Sequence, residues 1–180
     1  MILTMKRQEF DALTHEALFN ACFNPLILVY KNRMVEQKEE NTSMVKEQFY
    51  KQLTKGQQAL FAFQVYYTHV SHSLAEFYWW STYFRAQPKT WLAIISGLQY
   101  FGDKGMLLLL EEIDEVLERH NHPSSLEGFS VTREDLDRNQ ELFASISPLH
   151  INFDKAAPLT IKIISEHIRN SQKEFVKIED

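Results

Sequence analysis

The sequence predicts an all-α fold, a single-domain bundle of about seven or eight helices with an aromatic-rich central core. Three observations carry this expectation. Apolar residues recur at three- and four-residue intervals along almost the whole chain, the spacing that lines one face of a helix. Thr54-Lys55-Gly56-Gln57 and Ser73-Leu74-Ala75-Glu76 both have capping-box spacing, in which paired side chains satisfy free backbone N–H groups at a helix start. No run shows the two-residue alternation of a half-buried strand, and there is no internal repeat or Gly/Ser linker.

The first helix is expected over about residues 5–22, where Phe10, Leu13, Ala17 and Ala21 form one stripe. Asn24-Pro25 should end it, because proline disfavours helical geometry in the residue before it. Leu26 to Tyr30 opens the next element, which runs into polar Glu36 to Asn41. A short helix with Val45, Phe49 and Leu53 inward follows. The helix after Thr54 is apolar on most sides, so it belongs in the middle of a bundle.

A break is expected at 71–73, then a second all-round apolar helix at about 74–85. Pro88 suits the first turn of a further helix with Trp91, Ile94, Ile95, Leu98 and Phe101 inward. Gly102-Asp103 separates it from an amphipathic helix at about 104–120. There Met106, Leu109, Leu110, Ile113, Val116 and Leu117 face the core, and Glu111, Glu112, Glu115 and Glu118 face outward. His122-Pro123-Ser124 begins a loop, Thr132 starts an acidic helix, Pro148 marks a connector, and a last helix spans about 156–173.

The 180 residues carry a formal charge of −5, which argues against a generic electrostatic nucleic-acid binder. That charge is local. Between Glu111 and Glu141 ten acids face only Arg119, Arg133 and Arg138, so this segment carries −7 and the remainder +2. Like charges at i, i+4 and i+7 repel by a few tenths of a kcal/mol each. Tolerating Glu111, Glu115 and Glu118 at that spacing suits either a solubilising face or a surface for a basic protein partner.

Between residues 61 and 101 lie 13 of the 23 aromatic side chains, including Phe77-Tyr78-Trp79-Trp80 in succession. Neighbouring helical residues point about 100° apart, so these four rings cannot share one face. They form either a large core or part of a pocket built from Trp79, Trp80, Tyr83 and a histidine. His69, His72 and Glu76 have the spacing of ligands on one continuous helix, and are weak candidates for a metal. The capping role of Glu76 counts against that use. His120 and His122 fall at a helix end, where cations are favourable. The single cysteine, Cys22, reads as a small buried hydrophobe. Phosphate-binding glycine loops, zinc-protease helices, paired-cysteine sites and nucleophile elbows do not occur.

Lys6-Arg7 interrupts the N-terminus before a signal-peptide core, and no run approaches 18 uninterrupted apolar residues, so a cytoplasmic protein without a membrane span is expected.

Leu53-Thr54-Lys55-Gly56-Gln57-Gln58-Ala59-Leu60-Phe61, Tyr67-Thr68-His69-Val70, Phe77-Tyr78 and Leu98-Gln99-Tyr100-Phe101-Gly102 together resemble a bacterial family of all-helical domains named after a DNA-mimic protein. The resemblance covers about residues 53–117. It implies a helical fold and, in the namesake, an acidic surface that engages a DNA-binding protein. It assigns no functional residue here.

The expected function is therefore a non-catalytic interaction protein that offers its 111–141 segment, through Glu111, Glu112, Glu115 and Glu118, to a basic partner. Neither a cofactor nor direct nucleic-acid binding is expected. The alternative is a small-molecule-binding or metal-dependent helical enzyme using the aromatic and histidine residues of 61–101.

Overall fold

The computed structural model describes residues 2–36 and 42–179, and among these the chain is all-α apart from one short pair of strands. In order come β1 (Leu3–Lys6), α1 (Arg7–Ala12), α2 (His15–Glu36), α3 (Thr42–Lys51), α4 (Lys55–Val70), α5 (Leu74–Arg85), α6 (Pro88–Phe101), α7 (Lys104–Arg119), α8 (Asp135–Arg138), α9 (Gln140–Asn170) and β2 (Val176–Glu179). The chain divides into two compact units, Met1–Phe61 with Ile161–Asp180, and Ala62–Thr160.

In the first unit β1 and β2 pair in parallel, with Leu3 opposite Val176 and Met5 opposite Ile178. Arg169 ties the C-terminal helix to α1. Its guanidinium donates to the carbonyls of Phe10 (3.1 Å) and Leu13 (2.5 Å), which lack partners at the end of that helix. Phe23, Tyr30, Phe49 and Phe61 cluster with ring centroids 5.2–5.8 Å apart. The start of α4 is fixed reciprocally: Gln57 N donates to Thr54 Oγ1, and Thr54 N to Gln57 Oε1, both at 3.1 Å. Thr54 Oγ1 also donates to the Glu174 carbonyl, and Gly56 N to the Glu174 carboxylate.

In the second unit α5 buries Phe77, Tyr78 and Phe84, and α6 buries Ile94, Leu98 and Phe101. Tyr66 lies wholly inside among Phe84, Trp91 and Phe153, its hydroxyl bonded to Ser81 at 2.9 Å. The aromatic-rich core expected from the sequence is present. Gly102 closes α6 in the left-handed conformation (φ 74°), where a side chain would be strained, and Asp103 caps α7 by accepting from Met106 N at 3.0 Å.

Four expectations change. The helix expected over 5–22 is instead strand β1, the short α1 and the first part of α2, with Leu13 extended between the helices. Pro25 does not end a helix, because α2 runs through it. An internal proline costs about 3 kcal/mol, whereas Leu18, Phe19, Phe23 and Leu26 are buried on both sides of it, at about 1.5–3 kcal/mol each. Pro148 lies inside the continuous α9 for the same reason, with Leu142, Ile146, Leu149 and Phe153 buried around it. The acidic helix after Thr132 shrinks to one turn, because Asn139 is extended and its side chain caps α9 by accepting from the N–H groups of Glu141 and Leu142. Of the polar stretch Glu36 to Asn41, residues 37–41 lie outside the described residues.

Candidate functional site

Helix α7 spans the 104–120 segment almost as its periodicity requires. Met106, Leu109, Leu110, Ile113, Val116 and Leu117 are buried. Turning about 100° per residue, the same helix puts Glu111, Glu112, Glu115 and Glu118 outside, and all four are exposed. Among the described residues no ion pair or side-chain hydrogen bond engages any of them.

Some of the other acids nearby are engaged, while Glu127, Asp137 and Glu141 are also exposed and outside any ion pair among the described residues. Asp114 pairs with Arg85 Nε, and Glu76 takes two bonds from Arg133, at 2.5 and 2.9 Å. Asp135 holds the Thr132 turn.

Beside α7 the N-terminal half of α6 contributes a second feature. Pro88, Trp91, Leu92 and Ile95 share one stripe of that helix. With Asp114 of α7, Ser124 of the following loop and Arg85 of α5 they line a groove of about 310 Å³. Leu92 is 64% exposed there. Trp91 and Ile95, expected to face the core, are only half-buried; Gly97 is buried instead, along with Ile94, Leu98 and Phe101. Arg85 is nearly buried, and it also donates to the His122 carbonyl at 3.2 Å.

The histidine candidates separate. His69 uses Nδ1 on the Val65 carbonyl at 2.7 Å, and its ring meets Trp80 edge-on at 4.0 Å. His72 is exposed in the break between α4 and α5. Only half of the expected second capping box forms: Ser73 Oγ accepts from Glu76 N, but the Glu76 carboxylate turns to Arg133 and to Trp80 Nε1 (2.8 Å). The Arg133 hydrogen bonds hold that carboxyl below its usual range. No group of three His, Cys, Asp or Glu side chains is placed to share a metal among the described residues.

Trp79, Trp80 and Tyr83 pack on one another and on the 121–134 loop. Trp79 stacks on Tyr83 (5.1 Å, 9°), Phe129 meets both rings edge-on, and Trp79 Nε1 donates to the Val131 carbonyl at 3.0 Å. Arg133 covers Trp79 with its guanidinium 4.4 Å from the ring. This clamp is not legible in the sequence, because a lone arginine in an acidic loop reads as a solvated charge. A second tie was also missed: the Tyr78 hydroxyl meets His122 Nε2 at 2.6 Å. Desolvation lowers the His122 pKa, so this ring is disfavoured as a helix-end cation. Cys22 is buried, which pushes its thiol up to about 12 and leaves it a poor nucleophile.

Compared with known proteins, the chain matches no family model, no curated protein and no solved structure. No helix among the described residues is long and apolar enough to cross a membrane.

Proposed function

We propose that this is a non-catalytic, cytoplasmic interaction protein, regulatory or inhibitory, that offers the outer face of α7 to a basic protein partner. The observation that carries the reading is the group Glu111, Glu112, Glu115 and Glu118. All four are exposed and unpaired among the described residues, whereas Asp114, Glu76 and Asp135 nearby are each engaged. Unneutralised like charge on one helix face is unfavourable in the free protein, and a cationic partner relieves it. The resemblance of residues 53–117 to the DNA-mimic-like family suggests the same kind of partner.

The test is affinity capture from lysate with wild type and with Glu111→Gln/Glu115→Gln/Glu118→Gln, at low and high salt. Wild type should retain a partner at low salt, release it at high salt, and lose it in the variant. Equal retention by both proteins removes the basis of this reading.

A further inference from the structure

The groove between α6 and α7 has two unlike walls. On α6, Trp91, Leu92 and Ile95 present adjoining apolar surface, with Leu92 64% exposed. On α7, Asp114 lines the groove, and Glu111 and Glu118 stand one turn before and after it on the same stripe. The cation lining the groove, Arg85, is already neutralised by Asp114, and its side chain is only 10% exposed. The lining itself is therefore neutral, and the unpaired negative charge lies beyond it on α7, at exposed Glu111 and Glu118.

At about 310 Å³ the space is near the lower end of ligand pockets, which run roughly 300–1,000 Å³. That suits a few side chains from a polypeptide. An anionic ligand would meet repulsion from Glu111 and Glu118, and a purely cationic one would leave Leu92 and Ile95 uncovered. A segment with basic and apolar side chains one helical turn apart satisfies both walls.

We propose that this groove receives a cationic amphipathic segment of a partner protein, with its apolar side chains on Leu92 and Ile95 and its lysine or arginine side chains on Glu111, Glu115 and Glu118. The proposal rests on reading α7 as a binding face and adds the shape of what binds there.

The test titrates three labelled synthetic peptides by fluorescence anisotropy: an amphipathic Leu/Lys helix, a Gly/Lys peptide of equal charge and a Leu/Glu helix. The proteins are wild type, Leu92→Ser, Ile151→Ser and Glu111→Gln/Glu115→Gln/Glu118→Gln. Ile151, also exposed but on α9, serves as the control for unspecific apolar contact. Leu92 is exposed enough that its replacement leaves the fold intact, which a thermal melt checks. The Leu/Lys peptide should bind wild type and Ile151→Ser alike, and Leu92→Ser should weaken it by about tenfold. The Gly/Lys peptide should bind more weakly and ignore Leu92→Ser. The glutamine variant should weaken both basic peptides, and the Leu/Glu helix should not bind.

If only the glutamine variant weakens binding, the groove proposal is overturned while the acidic-face reading stands. If none of the variants changes binding, both are overturned. Equal weakening by Ile151→Ser, or self-association of the free protein that Leu92→Ser abolishes, also overturns the cationic occupant.

Discussion

Gly56 sits where a β-carbon would run into the ring of Phe175, well inside contact distance. Phe175 is itself buried, with 1% of its surface exposed. Gly56→Ala should therefore destabilise the protein by about 1–3 kcal/mol, as overpacking does, despite alanine's better helix propensity. A denaturant midpoint measurement checks the sign. Two other residues contribute to the response to acid. Arg133 holds Glu76 below the ordinary carboxylate range, so folding favours its charged form. That stabilisation is present above the unfolded value near 4.5 and is lost as pH falls through the lowered one. His122 is kept neutral by desolvation, so the unfolded chain binds its proton more readily. Stability from this group is complete above 6.5 and declines as pH falls below it. His122→Gln should flatten the stability slope just below pH 6.5, and Arg133→Ala should flatten the one in the carboxylate range. Hydrogen exchange gives the local readout: Arg133→Ala should lower amide protection in the 129–133 segment by on the order of tenfold. Protection unchanged from wild type would show that Trp79 and Phe129 hold the loop unaided.

Helices α2 and α9 each run through proline, and burial on the inner face explains why. Pro148 and Pro158 are exposed, so replacing them removes little packing. Pro148→Ala and Pro158→Ala should each stabilise the protein by about 1–3 kcal/mol, by restoring a donor and relieving a clash. A fall in melting temperature would mean that the local helix geometry at these prolines is needed for packing. In the same helices tertiary packing overrides local signals. Helices α5, α6 and α7 were legible because Ser73, Pro88, Gly102 and Asp103 punctuate them by local chemistry. Pro25 and Pro148 use the same punctuation, but there tertiary burial outweighs the local rule. Strands β1 and β2 were invisible, since four residues give alternation too little length and the partners lie at opposite ends of the chain. The outward face of α7 was legible from period alone. The groove wall on α6 was not, because helical period puts Trp91 and Ile95 on an apolar stripe without showing which part of that stripe a neighbouring element covers.

For the whole molecule, a charge of −5 hides a −7 segment on a body of +2. Within that segment Asp135 holds a turn and Arg133 clamps Glu76 and Trp79, while Glu127, Asp137 and Glu141 are exposed, as the α7 glutamates are. A partner that uses this face should associate faster at low salt, because steering acts mainly on the association rate. If Glu111, Glu115 and Glu118 bind the partner, the decisive measurement is the affinity of the captured partner for wild type and for the triple glutamine variant across a salt series. Wild-type affinity should fall steeply with salt, while the variant should be weak and nearly salt-independent. Equal affinities with equal salt slopes would rule these glutamates out as the partner's site.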